Sequence, residues 1–253
     1  MNITKRNSEA FLSRLAWRCH FIQKLEDMPD LELKCMHQHF EGIRDGHNDK
    51  WLNAWKLGKT GYPYIDACMR SLICEGWLNF RARASLVSFA SYHLWLDWRE
   101  TGNYLASLFT DFEPGIHFSQ MQMQSGVTGI NTIRIYNPII QSKQNDPSGY
   151  FIKKWIPELK GIKNCYIHEP WLIKKANKYI SSKVIGTEYT SPIINHALEY
   201  KKAKHKLSLI DKNDEFRFLA HKVYKTLGSR SGMRLGKIRH RRDYNKRQLS
   251  FEF

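Results

Sequence analysis

The sequence predicts an all-α chain, and three observations predict it. Apolar residues recur at helical spacing, first in Phe11, Leu12, Leu15, Ala16, Cys19, Phe21, Ile22 and Leu25. No period-two alternation lasts long enough to build a sheet. Proline and glycine fall where helices start and stop.

In order, residues 1–8 are polar and predicted to fray, and the first helix runs from Glu9 to Asp27, where Pro29 stops it. Residues 36–50, rich in His, Gly, Asn and Asp, read as a loop, followed by a short helix from Lys50 to Leu57. Pro63 suits the first turn of a helix ended by Gly76. One long helix is predicted over 79–97, with Leu86, Phe89, Ala90, His93 and Leu94 facing inward, and a short one from Asn103 to Phe109. Asp111 to Gly129 reads as loop with a helical turn around Ser119 to Gln124; Asn145 to Gly149 is a turn, and Tyr150 to Trp155 a short helix. Residues 1–200 form the helical domain. Residues 201–253 are a basic tail, helix-forming to Leu227 and then mobile from Gly228 to Gln248.

The 253 residues suffice for a substantial core, and 42% hydrophobic content with 13% aromatics marks a globular body. Eight Trp fit a large core, a stacking surface or both. The net charge of +16 points to nucleic acid as partner, with an anionic membrane surface second. Residues 201–253 carry sixteen Lys/Arg against five Asp/Glu, so the body is only mildly basic. No apolar run of ~18 residues exists, and no membrane span is expected. Cys19, Cys35, Cys68, Cys74 and Cys165 match no zinc spacing, and nothing resembles a signal peptide; reduced thiols in a cytoplasmic protein follow. Gly58-Lys-Thr-Gly61 is an incomplete phosphate-loop pattern with no apolar strand before it, which excludes nucleoside triphosphate binding there.

Five blocks carry the functional signal: W-K-L-G-K-T-G-Y-P-Y-I-D-A-C-M-R from Trp55, G-W-L-N-F-R-A-R from Gly76, L-D-W-R-E from Leu96, R-I-Y-N-P from Arg134 and W-I-P-E-L from Trp155. In this order and at this spacing they resemble the helical FAD-binding domain of the photolyase and cryptochrome family. The resemblance covers roughly Phe11 to Trp171. It implies an all-α, multi-helical domain that holds FAD, and light-driven electron transfer from reduced flavin to pyrimidine lesions in DNA.

Carried over by position, the resemblance places Arg83 and Asp111 as an ion pair beside the flavin ring, where a guanidinium suits an anionic reduced flavin. An ordinary buried salt bridge is the alternative. Glu113 stands where a carboxylate accepts from ring N3–H. Trp77 and Arg81 match pocket-lining positions, and Arg18 a flavin-phosphate contact. Trp17 matches a contact to the substrate base, or else is a core aromatic. Arg134, Asn137 and Pro138 match interior positions.

Several residues depart from the family pattern. His117 replaces an Asn near flavin N5, where a His is able to donate to N5 or protonate it. Phe80 replaces an Asn. Met121 replaces the Trp nearest the flavin in the usual photoreduction relay, and Met123 a Trp that stacks on an extruded base. Trp98 keeps the relay's middle position, while Asp45 stands at the distal one. Arg14 replaces a carboxylate that hydrogen-bonds the lesion, and Arg134 is a rim candidate for DNA. The sequence begins after the family's N-terminal antenna domain and after the segment that cradles the FAD diphosphate, so a separate chain is one way to complete the pocket. Three functions remain open: light-driven DNA repair, a cryptochrome-like photoreceptor, and a truncated nucleic-acid-binding relic without flavin.

Overall fold

A computed structural model describes residues 4–173 and 186–229. Among them the chain is helical, with no extended strand, as the sequence predicts. Helix α1 spans Lys5–Asp27, because the Thr4 side chain accepts from Asn7 N and caps it. The polar leader expected to fray is therefore helical from Lys5. Helix α2 spans Asp49–Lys56, and α3 spans Pro63–Glu75. Gly76 closes α3 at φ 69° with its N–H on Leu72 O at 2.8 Å, a left-handed stop that favours glycine.

The long helix expected over 79–97 is shorter and of two kinds. Helix α4 spans Phe80–Ser88 and widens into a π turn over Phe89–His93. Trp95 then takes φ 53°, and its indole N–H reaches Ile43 O at 3.2 Å. Asp97 caps the next helix, α5 (Trp98–Leu108), by accepting from Arg99 N. A cap needs non-helical backbone, so one helix cannot run through it.

Residues 111–129 also differ from expectation. Glu113 caps a full helix, α6 (Pro114–Ser125), with Pro114 in its first turn. Helix α7 (Pro138–Asn145), which the sequence pattern does not announce, starts in the same way on Asn137. Helix α8 spans Tyr150–Trp155, α9 His196–Ser208 and α10 Asp214–Leu227. Position 200 thus lies within α9, and Phe216, Val223 and Leu227 of α10 join the main core. The stretch expected to be mobile, 228–248, lies outside the described residues from 230 on.

Helix α3 packs between α4, α7 and α8, around fully buried Met69, Leu72, Leu86 and Phe89. Behind it, buried Asp66 accepts from Thr60 N, Thr60 Oγ1, Gly61 N and Tyr189 OH, fixing the turn before the helix. Helix α1 lies along α6 and buries none of its residues. Gly115 allows that approach, since a Cβ there would stand 2.8 Å from Phe21 O. The outer face of α1 leaves Phe11, Leu12, Leu15 and Trp17 exposed.

Candidate flavin site

Two turns meet at the site. The α3–α4 turn carries Gly76 to Asn79, and the α5–α6 turn carries Thr110 to Glu113. Thr110 N donates to Gly76 O at 3.0 Å and stitches them together. Asn79 caps α4 through Ala82 N and sets Arg83 one turn in, facing the second turn. Arg83 Nη2 donates to both Asp111 oxygens, at 3.0 and 2.8 Å, and its Nε donates to Leu78 O at 2.7 Å. The guanidinium carbon lies 4.0 Å from the Phe109 ring centroid. The guanidinium is therefore held on three sides.

Arg83 and Asp111 border a cavity of about 320 Å³. Leu78, Val87, Leu105, Phe109 and Ile116 give it apolar walls, while Glu113, His117 and Gln120 add polar groups. The volume is at the low end for small-molecule sites and suits a fused ring system rather than a whole dinucleotide. Glu113 caps α6 by accepting from Gly115 N at 3.2 Å and Ile116 N at 2.8 Å, so its carboxylate has one orientation. His117 Nε2 lies 2.9 Å from Gly102 O. Burial lowers the His117 pKa; the Gly102 carbonyl opposes this, and Arg83 and its partner Asp111 act in opposite directions, down and up. In the neutral ring the Nε2 proton is committed to that carbonyl, which leaves Nδ1 as the ring nitrogen without a partner among the described residues.

Trp77, Leu78 and Phe80 also wall a second, larger cavity of about 720 Å³. Arg14 of α1 and Arg81 of α4 supply cations there, and Tyr64 and Phe151 supply aromatic surface. Of the predicted residues, the first cavity therefore gathers Trp77, Arg83, Asp111, Glu113, His117 and Met121; the second gathers Arg14, Trp77 and Arg81. Met121 faces the ring-sized cavity and not the one lined by Arg14.

Trp17, Arg18, Met123, Arg134 and Trp98 line neither cavity. Trp17 is exposed and packs on His20 and Phe21, so it is not the core aromatic that was its alternative, and Arg134, expected in the interior, is exposed. Trp98 is buried, edge-on to Phe118 with centroids 6.5 Å apart, with Arg99 over its ring. Sequence reasoning missed the apolar walls Leu78, Val87, Leu105, Phe109 and Ile116. They are ordinary core residue types, and only the helix packing turns them toward a void.

The family described as the FAD binding domain of DNA photolyase matches residues 11–208. The deoxyribodipyrimidine photo-lyase of Alkalihalophilus pseudofirmus is 33% identical over 211 residues, which are 83% of this chain and 43% of that protein. The one from Streptomyces griseus is 36% identical over 197 residues, 75% of this chain and 40% of that protein. A class III photolyase structure from Agrobacterium tumefaciens superposes with a TM-score of 0.75 at 28% identity, covering 84% of this chain and 44% of the other. A Synechocystis cryptochrome structure shares the fold, with a TM-score of 0.74 at 24% identity, over 83% of this chain and 43% of the other. The chain thus spans about two-fifths of the length of these relatives. With the match covering most of its residues and the stitched turns of the site lying inside it, this chain belongs to the DNA photolyase FAD-binding domain family.

Proposed function

We propose that this chain forms the flavin-ring half of a light-dependent flavoprotein that acts on pyrimidine lesions in DNA. The observation that carries the reading is the Arg83–Asp111 pair on the wall of an apolar cavity of ring size. The cavity's donor set fits a flavin. Arg83 Nη1 makes no hydrogen bond among the described residues and is free to meet negative charge, while Glu113 offers an oriented acceptor for a ring N–H. When bound, FAD supplies excited-state electron transfer to the lesion. The chain's own part is to hold the ring beside Arg83, keep water from the apolar side, and bring the lesion close.

The neighbouring cavity is assigned to the lesion. Trp77 and Phe80 separate it from the ring site, Arg14 and Arg81 give cationic contacts, and aromatic walls suit an unstacked base. Trp17, Met123 and Arg134 are assigned to the DNA surface around it and Arg18 to a flavin phosphate, while Trp98 is assigned an electron-transfer role behind Phe118. The exposed Trp77, Phe80, Phe11 and Leu12 support a further polypeptide covering the sites, equivalent to the part of the relatives that this chain does not span; a separate chain is one form of it. No described helix is long and apolar enough to cross a membrane, the described cysteines are all free, and a cytoplasmic location is proposed.

Absorption of the purified protein tests the flavin. A band near ~450 nm at one flavin per chain is expected, and its absence after incubation with FAD supports the relic. Illumination of dimer-containing DNA with reduced protein tests the repair. Unchanged dimers in the presence of bound, reduced flavin reject it and leave the photoreceptor reading. That second reading is supported by the substituted relay and lesion positions, Met121 and Met123, where the family has Trp.

A further inference from the structure

Helix α10 starts at Asp214, beyond residue 208 where the family match ends, and its first turn rests on one imidazole. The Phe216 carbonyl lies 3.0 Å from His37 Nε2, across 179 residues of chain. The two rings stack with centroids 4.1 Å apart, and Phe40 meets both edge-on, at 5.4 and 5.9 Å. His37 is fully buried and Phe216 nearly so. Asn213 caps the helix through Phe216 N at 2.9 Å. Phe216 is the buried residue of this first turn, and the others on the helix, Val223 and Leu227, lie about two and three turns further on.

The imidazole is set so that it cannot be protonated without disturbing what it holds. A carbonyl only accepts, so Nε2 carries the hydrogen of the neutral ring. Nδ1 is buried and makes no hydrogen bond among the described residues. Protonation puts a charge and a second N–H there with no acceptor. Stacking on Phe216 recovers only part of that cost. Gly129 backs the ring so closely that a Cβ there would collide with it, which holds the ring in this orientation. The titratable groups facing the ring are His39 on its own turn, edge-on at 5.5 Å, and Glu215 on α10, whose carboxylate is 4.0 Å from His39 Nε2. The elements behind it offer neutral groups, Gln122 of α6, which accepts from Met36 N, and Gly129.

We propose that His37 is an acid-sensitive latch on α10: its neutral ring holds the first turn of the helix through the Phe216 carbonyl, and protonation opens that turn. Opening lets water reach Nδ1. Burial lowers the His37 pKa below 6.5; the Phe216 carbonyl opposes this, His39 lowers it further, and the residue's own carbonyl opposes. The opened form therefore binds the proton more readily. The hold is fully present above about pH 6.5 and is lost as pH falls below it. Because α10 leads into the basic residues 230–253, the latch makes the anchorage of the chain before them depend on pH. Nothing in this device uses the flavin.

Hydrogen exchange of the full chain, read by mass spectrometry between about pH 7.5 and about pH 5.5 and corrected for the exchange rate of free amides, tests the latch. Peptides from 214–227 are compared with peptides from α3 in the same sample. In the native chain, α10 is expected to lose protection by up to about tenfold per pH unit, the limit for one proton, while α3 keeps its own. His37→Gln keeps a side-chain N–H for the Phe216 carbonyl and does not titrate, so its α10 protection is expected not to change with pH. His39→Gln is expected to keep the native pH dependence.

Constant α10 protection in the native chain overturns the inference. So does a fall shared equally by α3, which marks unfolding of the whole domain. A native-like pH dependence in His37→Gln, or its loss in His39→Gln, also overturns it by assigning the proton elsewhere. If circular dichroism shows His37→Gln to be unfolded, the comparison of α10 with α3 in the native chain, together with His39→Gln, decides.

Discussion

Arg83 meets Asp111 through a single nitrogen, Nη2, at 3.0 and 2.8 Å, while its Nε is occupied by the Leu78 carbonyl. One face of the guanidinium rests on Phe109. The pair joins the start of α4 to the turn before α6, two places 28 residues apart in the chain. Both side chains keep some exposure, Asp111 nearly half, so the contact contributes little to folding stability. Its value is positional: it aims a fixed charge along the cavity wall.

Asp111→Asn therefore separates binding from folding. The amide keeps the shape and loses the charge-assisted bonds, which contribute about 1.5–3 kcal/mol each in a binding site. FAD affinity is expected to fall by roughly ten- to a hundredfold in a fluorescence titration. The melting temperature should move by no more than about 2 °C. A large drop in melting temperature with unchanged affinity would make the pair a stability element.

Gln122 has the opposite character. It is fully buried on α6, accepts from Met36 N at 2.7 Å, and donates to Leu31 O and Lys34 O at 2.8 and 2.9 Å. Gln122→Leu leaves these backbone groups without partners, at a cost of about 2–4 kcal/mol. Urea unfolding should show the midpoint falling with little change in slope. An unaltered midpoint would mean that water replaces the amide.

His93 makes stability depend on acid. It is buried in the π turn, stacked on Phe89 at 5.2 Å, and burial first, then His196, lowers its pKa from 6.5 to about 4. The folded pKa is below the unfolded one, so the unfolded chain binds more protons between these values. The stability contributed is present above about pH 6.5, is lost as pH falls toward about 4, and amounts to roughly 3 kcal/mol over that window. His93→Phe should flatten the unfolding free energy between those pH values. A native-like acid slope in the variant would assign the titration elsewhere.

Residues 230–253 carry eight Lys/Arg against two Asp/Glu, including Lys237, Arg239, Arg241 and Arg242. Deleting them should weaken DNA binding alike across sequences and flatten its salt dependence, by ~0.9 in log–log slope for each phosphate that the segment neutralises. Fluorescence anisotropy against salt concentration measures this; the same slope in the truncated chain would show the segment to be idle.

Much of the helical layout was legible because its signals are local. Pro63 and Gly76 mark the ends of α3 by what their backbones permit, and the apolar positions of the next helix, Leu86 to Leu94, are buried as their spacing predicts. The failures lie where local signals compete. Between Asp111 and Gly129, Phe, Pro, Gly and His read as loop, yet Glu113 and Pro114 make a helix start that decides the segment. Between 79 and 97 the apolar periodicity reads as one helix up to Asp97, but Asp97 must cap α5, and the chain leaves the helix through the π turn and Trp95.

Backbone preferences and the order of motifs along the chain were enough to establish the all-α class, most helix starts and stops, and the family. The resemblance in turn singled out Arg83, Asp111, Glu113 and His117. Helix packing settled which of these residues share a cavity, that Trp98 and Met123 do not, and that Met121 and Arg14 face different ones. The contact of His117 Nε2 with the Gly102 carbonyl came from packing alone. A proton's place on an imidazole depends on what the other nitrogen touches, and Gly102 is brought there by the meeting of α5 and α6, not by proximity along the chain.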